Sequence, residues 1–454
     1  MRKIKVINGD CFTPISLYYR LKSQQKALLE SIPREQEASR YSVIAFDPVH
    51  HLSYLEGQFK IDGQAYPVCD PLKELERYVL KNEVLHENLP FQGGAIGYVG
   101  YDIAACYEDI GPIPIDQLKI PDMQFYLYEN FLIYDHKEQT VTIVIGNTYS
   151  QVSEEKLDQK LSQVEKQLAI LNIQENQLPP AVKLSFTSNF PQAVYEATVK
   201  KAKAKIKAGD LFQVVPSQRL VADFKMDGFD YYRHLRNTNP SAYLYYLPFP
   251  DCQVIGSSPE SLVRVKGKEV TTNPIAGTRK RGLTIKEDNQ LAEDLATDEK
   301  ELAEHKMLVD LGRNDLGKIA EIGSVRVPIY LTVERYRFVM HLVSVVSAQL
   351  KPEYQAMDAL KATLPAGTVS GAPKIRAMTR IYQWEPVKRS VYAGAVGYLS
   401  QDNQADFAIA IRTMVVKDQK AYVQAGAGVV YDSDPTSEYF ETLQKAKALL
   451  EVGR

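Results

Sequence analysis

Two acidic pairs carry the first chemical signal. In Glu301-Leu-Ala-Glu304, and again for Glu438 and Glu441 in Asp434-Pro435-Thr-Ser-Glu438-Tyr-Phe-Glu441, the carboxylates lie three residues apart. On a helix each pair shares one face. Asp434 is a good N-cap and Pro435 a good first helical residue, so the second pair is expected in a helix's opening turns. Such pairs suit a hard divalent cation, because Mg²⁺ takes few carboxylates and keeps oxygens from water or substrate. Ordinary readings stand beside this one. Glu301 can complete a capping box with Asp298, and Glu441 can pair with Lys445 at i+4.

Glycine-rich backbone is the second signal. Asn273-Pro-Ile-Ala-Gly-Thr-Arg279 and Gln424-Ala-Gly426-Ala-Gly428 each end a strand-like run, and Gly367-Thr-Val-Ser-Gly371-Ala-Pro-Lys374 precedes an expected helix. Glycine lets ligand oxygens approach backbone N–H groups closely. None of the three fits a phosphate-cradling loop or a dinucleotide fingerprint, and taken alone such segments are more often tight turns than ligand sites. His341 sits in an apolar, strand-like run, where a lone histidine is usually a hydrogen-bonded core residue. No Ser/His/Asp or Cys/His arrangement is apparent, so hydrolase chemistry is not indicated.

The elements that must position these residues mix strands with helices. Up to about residue 150, strand-like runs alternate with turns, and 130–135 with 140–145 reads as a hairpin. Residues 152–171 read as an amphipathic helix and 173–189 as a linker. A Lys-rich helix is expected over 191–208, capped by Gly209. Beyond it, strands are expected at 211–220, 242–248, 253–256, 262–272, 391–399, 405–416 and 421–430. Helices are expected at 287–296, 299–311, 354–363, 373–382 and 435–450. Strands arrive in adjacent runs, which favours α+β with mostly antiparallel sheet. Gly93-Gly-Ala-Ile-Gly-Tyr98 faintly echoes Ala393-Gly-Ala-Val-Gly-Tyr398.

Composition bounds the class. The 454 residues are 45% hydrophobic and 24% charged, with 54 Lys+Arg against 56 Asp+Glu. That profile is ordinary for a globular protein and argues against a disordered chain, a polybasic membrane binder or a general nucleic-acid binder. At roughly 150 residues per domain, two or three domains or one large core are expected. Four scattered cysteines, with no metal spacing, point to a reducing cytoplasm. No apolar leader opens the sequence and no window approaches a membrane span.

Read together, GDLFQVVPSQR (209–219), GSSPESLVR (256–264), NPIAGTRKRG (273–282), DEKELAEHKMLVDLGRNDLG (298–317), GTVSGAPKIRAM (367–378), YAGAVGY (392–398), IAIRTM (409–414) and AGAGVVYDSDPTSEYFET (425–442) resemble the chorismate-utilising enzymes. The nearest branch is the one that forms anthranilate. The resemblance implies a large α+β unit of antiparallel sheet flanked by helices. It further implies a dianionic substrate, chorismate, with one carboxylate held by Mg²⁺ on Glu304 and Glu441, and with Glu301 and Glu438 one turn away. Tyr392, Arg412 and the backbone of Gly426, Ala427 and Gly428 would grip other polar groups, with Gly277 and Thr278 lining the pocket. His341 would be the general acid, Thr368 an orienting residue, and Glu260 an aid to proton movement.

Two positions choose the branch. Relatives that use water carry a Lys base near the position of Gln213, and Gln cannot abstract a proton. Aminodeoxychorismate-forming relatives typically carry a nucleophilic Lys where this chain has Ala276. The pair implies amination by ammonia at C2 and pyruvate elimination, with the aminodeoxychorismate branch as runner-up and isochorismate or salicylate formation third. Leu28-Leu29-Glu30-Ser31, with Ala242, Tyr243 and Leu244, resembles the family's feedback site for L-tryptophan, although the family often has Pro-Tyr-Met at 242–244. On its own, the LLES run reads as the end of an amphipathic helix. No cysteine sits in a G-x-C-x-G elbow, so a separate glutamine amidotransferase subunit is expected to supply ammonia in a hetero-oligomer. Residues 1–150 would carry the feedback element and pack with the catalytic region 190–454 as one unit, joined by the helix and linker at 151–189. A non-catalytic tryptophan sensor is disfavoured because Glu304, Glu441, His341 and Arg412 are all present.

Overall fold

The computed structural model describes every residue except 32–39, 82–88, 171–177, 181–183, 337–338 and 453–454. Part of the expected linker at 173–189 therefore lies outside the described residues, as do the first residues of the run that carries His341.

Two large sheets organise the chain, and the pairings within both are antiparallel. The eleven-stranded sheet runs Arg2–Asn8, Thr140–Gly146, Asn130–Asp135, Tyr41–Ala45, Ala27–Glu30, Tyr243–Pro248, Gln253–Ser258, Thr413–Lys417, Lys420–Gly426, Ser217–Asp223 and Thr187–Ser188. The twelve-stranded sheet runs from Ile275–Lys280 through Val339–Gln349, Glu269–Thr272, Ser261–Lys266, Ala405–Ile409, Ala395–Ser400, Gly94–Val99, Met123–Tyr128 and His50–Leu55 to the hairpin Gln58–Ile61/Gln64–Pro67. Arg326–Arg335 pairs on Val339–Gln349 beside that path. In both sheets the strands from residues 1–146 form one contiguous half and the later strands the other, meeting at Ala27–Glu30 beside Tyr243–Pro248 and at Gly94–Val99 beside Ala395–Ser400.

Alternation along the strands explains the layers. Val43, Ile96, Tyr98, Tyr245, Val396 and Val415 lie in one cluster drawn from both sheets, so the sheets pack face to face. Ile44, Leu244 and Met414 point the other way, onto the helices Glu154–Leu168, Gly228–Thr238 and Pro435–Leu450. Ala95, Val99 and Phe407 point onto the helices Pro71–Val79, Glu299–Gly317 and Lys374–Trp384. The expected α+β architecture, antiparallel sheet flanked by helices, is what the chain forms.

Several expected strands break where backbone chemistry forces it. The run 262–272 is a hairpin turning at Gly267, φ +61°. The run 211–220 splits at Pro216, which has no N–H for a ladder, into Gln213–Val214 and Ser217–Asp223. The run 405–416 splits at Arg412, φ +48°, and its halves enter different sheets. The expected turn at 273–279 contains a strand, Ile275–Lys280, and LLES is a strand, Ala27–Glu30, rather than a helix end. The expected helix 299–311 continues to Gly317.

The faint echo has a structural counterpart. Gly94–Val99 and Ala395–Ser400 are neighbours at the centre of the twelve-stranded sheet, with Gly97 opposite Gly397. A Cβ on either would stand 2.0 Å from a carbonyl oxygen, of Gln124 or Asp406, so both positions require glycine by contact.

Candidate functional site

Helix Glu299–Gly317 starts because Asp298 accepts hydrogen bonds from the N–H groups of Lys300 and Glu301. It is fastened to Val339–Gln349 by His305, whose Nε2 is 2.7 Å from Ser344 Oγ, and to the 371–374 segment by the buried Lys374–Asp315 pair, 2.5 Å. Glu301 and Glu304 do share a face, but different neighbours hold them. Arg279 donates to Glu301 at 3.2 Å and to Asp298 at 2.7 Å, while Gln213 Nε2 donates to Glu304 at 2.9 Å.

The second helix, Pro435–Leu450, is capped by Asp434 as expected. Glu441 pairs with Lys445 at 2.7 Å, whereas Glu438 is buried and its Oε2 has no hydrogen-bond partner. Burial raises the Glu438 pKa and the charge of Glu441 adds to it, against Ser433, Lys445 and, from the other helix, Lys300. Among the described residues no three His, Cys, Asp or Glu form a finished ligand set. The donor chemistry nevertheless fits a hard divalent cation, because all four groups are carboxylates and one buried oxygen is unsatisfied. To complete such a site, Lys445 and Arg279 must release their carboxylates.

Gln213 lies between the helix Glu299–Gly317 and the glycine-rich strand end. A Cβ on Gly428 would be 2.8 Å from Gln213 Nε2, and one on Gly426 would be 2.9 Å from the Tyr392 hydroxyl. Close approach, rather than unusual φ, demands glycine at 426, where a Cβ would also be 2.8 Å from the Pro216 carbonyl oxygen, and Ala427 is buried between the two glycines. Lys445 also donates to the Gly426 carbonyl at 3.3 Å. Burial pushes the Tyr392 phenol up to about 12, with the Arg389 guanidinium pulling against it.

Glu260 is buried and accepts a hydrogen bond from Thr368 Oγ1 at 3.0 Å. Burial pushes its carboxyl up to about 7, opposed by Thr368, Lys445 and Arg412. Burial likewise lowers the Arg412 pKa, partly offset by Glu260.

On the far side, Thr278 and His341 face each other across a strand pair, beside a bulge that accommodates Gly277 at φ +67°. His341 Nδ1 is 3.0 Å from Thr278 Oγ1 and 3.0 Å from the Gly277 carbonyl. That carbonyl can only accept, so Nδ1 carries the proton. A Cβ on Gly277 would reach 3.1 Å from Glu301 Oε2.

Direct contacts thus join Gln213 to Glu304, Lys445 to Glu441 and the Gly426 carbonyl, Thr368 to Glu260, and His341 to Gly277 and Thr278. The Glu441–Lys445 pair named from its i+4 spacing is present, whereas sequence reasoning missed Arg279 beside Glu301, although it lay inside a quoted motif.

The expected inhibitor residues meet elsewhere, in the eleven-stranded sheet. Glu30 pairs opposite Leu244, accepts from the Tyr232 hydroxyl at 2.8 Å and from Arg236 at 2.5 Å, and keeps Oε1 buried without a partner. Ser31 Oγ donates to the Ala242 carbonyl at 3.0 Å, and the Tyr243 hydroxyl donates to Asp406 at 3.0 Å.

Comparison with known proteins adds independent findings. Residues 24–451 match the family described as chorismate binding enzyme. The anthranilate synthase component 1 of Lactococcus lactis subsp. lactis is 55% identical over 456 residues, covering 100% of both chains. The crystal structure of anthranilate synthase component I from Streptococcus pneumoniae superposes with a TM-score of 0.86 at 49% identity, over 98% of this chain and 99% of that one. The menaquinone-specific isochorismate synthase of Escherichia coli, 21% identical, shares the fold at a TM-score of 0.74, over 100% and 95%.

Proposed function

The chain belongs to the chorismate-binding enzymes, and on that premise we propose that it is the synthase component of an anthranilate synthase. In this reading ammonia adds to C2 of chorismate, the ring hydroxyl leaves, and pyruvate is eliminated. The observation that carries the branch is Gln213, buried and donating to Glu304 where water-using relatives need a base. An amide cannot deprotonate water, and neutral ammonia needs no base. Ala276 likewise offers no nucleophile. Relatives at 55% and 49% identity with matching full-length coverage support the same branch.

The residues divide the work by chemistry. Arg412, Tyr392 and the backbone of Gly426, Ala427 and Gly428 bind anionic and hydroxyl groups, and Gly277 and Thr278 wall the pocket. His341, oriented through Nδ1 by Gly277 and Thr278, delivers a proton from Nε2 to the departing hydroxyl. Glu260, poised near neutrality and held by Thr368, accepts or returns a proton at the ring. Glu304 and Glu441, with Glu301 and Glu438 behind them, would hold Mg²⁺, which supplies charge neutralisation for a substrate carboxylate. In the same reading, L-tryptophan binds at Glu30, Ser31, Ala242, Tyr243 and Leu244 and inhibits. A separate glutamine amidotransferase subunit supplies ammonia in the cytoplasm, which suits four free cysteines.

The deciding experiment supplies chorismate, Mg²⁺ and high ammonium to the purified chain. Fluorescent anthranilate with equimolar pyruvate is expected. Salicylate or isochorismate without ammonium, or p-aminobenzoate only after a lyase is added, would replace the reading.

A further inference from the structure

A buried ion pair outside the expected site residues joins the segments that form it. Arg389 is 1% exposed. Its Nη1 donates to the Val369 carbonyl at 2.7 Å and its Nη2 to the Val215 carbonyl at 2.6 Å. Nε and Nη2 also grip Glu385 as a fork, at 2.9 and 2.5 Å. Glu385 Oε1 in turn accepts from the N–H and the hydroxyl of Ser217, at 2.7 and 2.8 Å. The guanidinium lies over the Tyr392 ring, 5.4 Å from its centroid, and the Arg389 carbonyl accepts from the Tyr392 N–H.

Three of these partners, Val369, Val215 and Ser217, lie close to residues assigned above. Val369 follows Thr368, Val215 is two residues beyond Gln213, and Ser217 pairs opposite Gly426. Substrate cannot reach a group this enclosed, so any effect passes through its neighbours. A buried ion pair is also a poor device for stability alone, because an apolar pair of similar volume often does as well. What the planar fork supplies is direction: it fixes three segments, far apart in the chain, at once. Its charge over the Tyr392 ring also draws electron density from the phenol and makes it a stronger donor to an anion.

Resting on the synthase reading, we infer that Arg389, anchored by Glu385, is the positioning residue that sets Gln213, Thr368 and the Tyr392 hydroxyl against chorismate.

Arg389→Lys keeps the charge and loses the fork, so it separates positioning from charge balance. With the full chain and saturating ammonium, its KM for chorismate should rise about tenfold, the worth of one charge-assisted hydrogen bond, while the KM for ammonium stays within about twofold. In a Tyr392→Phe background the same change should cost less than in the parent, because the share passed through Tyr392 is already lost. A merely structural role would reduce the active fraction, and hence kcat, with the chorismate KM unchanged; that result, or independent effects of the two changes, would overturn the inference. Calorimetric binding of chorismate should weaken by the same factor. This measurement needs no turnover, so it still decides the point if the wild-type chain forms no anthranilate and the reaction reading fails. If Arg389→Lys does not fold, Ser217→Ala loosens Glu385 by one side-chain hydrogen bond and should weaken chorismate binding about threefold; native affinity there would overturn the inference.

Discussion

Thr278 and His341 stand opposite one another on adjacent antiparallel strands, with the threonine Oγ1 3.0 Å from the imidazole Nδ1. The imidazole is therefore aimed by backbone register as well as by a hydroxyl. His341→Ala should lower kcat by about a hundredfold or more, the usual scale of general acid catalysis, with little change in melting temperature. Thr278→Val removes the hydroxyl and leaves the Gly277 contact, so a loss of less than about tenfold is expected. Steady-state kinetics beside thermal melts check both.

The two carboxylate pairs make a metal prediction. Glu441→Gln should raise the Mg²⁺ concentration for half-maximal activity at least about tenfold, since few charged oxygens are available to replace it. A chelator should abolish activity in the parent chain. Unchanged Mg²⁺ dependence would place the metal elsewhere.

Glu260 gives a pH signature. Its folded pKa, about 7, lies above its ordinary 4.5, so between those values the folded state holds a proton that the unfolded state has released. Stability should fall by about 3 kcal/mol as pH rises from about 4.5 to 7 on this account. Glu260→Gln should flatten that part of the profile. Denaturant titrations across the range test it, and identical slopes for both proteins would show that burial does not act as described.

Tryptophan should stabilise the chain as well as inhibit it. At a hundred times its dissociation constant, a ligand that binds only the folded state adds about 2.7 kcal/mol. Ser31→Ala, which releases the Ala242 carbonyl, should weaken both effects together. No shift in melting temperature and no inhibition at saturating tryptophan would remove the feedback reading.

Gly97→Ala or Gly397→Ala should cost several kcal/mol, on the order of 3 or more, because each new methyl would lie 2.0 Å from a carbonyl oxygen. Gly57→Ala meets open space but has φ +78°, so it should cost about 1 kcal/mol. Denaturation midpoints order the three.

The candidate site was legible where its chemistry depends on local spacing. Asp434 and Pro435 announced a helix start, and the i, i+3 carboxylates appeared on one face as read. Sheet membership was not legible. Nothing in the run 405–416 marks the residue at which it leaves one sheet for the other, because Arg412 adopts a left-handed backbone that tertiary contacts impose. LLES followed the same rule: its apolar pair fits either period until Tyr246 and Ile44 flank Leu28, and Tyr245 and Val43 flank Leu29. The Arg389 node was only half legible: Glu385 stands four residues before it, but the Val369 and Val215 carbonyls that give it its reach leave no trace in residue type.

The central pairing of Gly94–Val99 with Ala395–Ser400 has a consequence for biosynthesis. The first of these strands leaves the ribosome about 300 residues before its partner, a delay of roughly 15–60 s at ordinary translation rates of about 5–20 residues per second. Throughout that interval an apolar strand in the middle of the future sheet lacks its permanent neighbour and offers an open edge to other chains. Chaperone occupancy on the nascent chain, and the yield of soluble protein when translation is slowed, are therefore set by the order in which the strands are made.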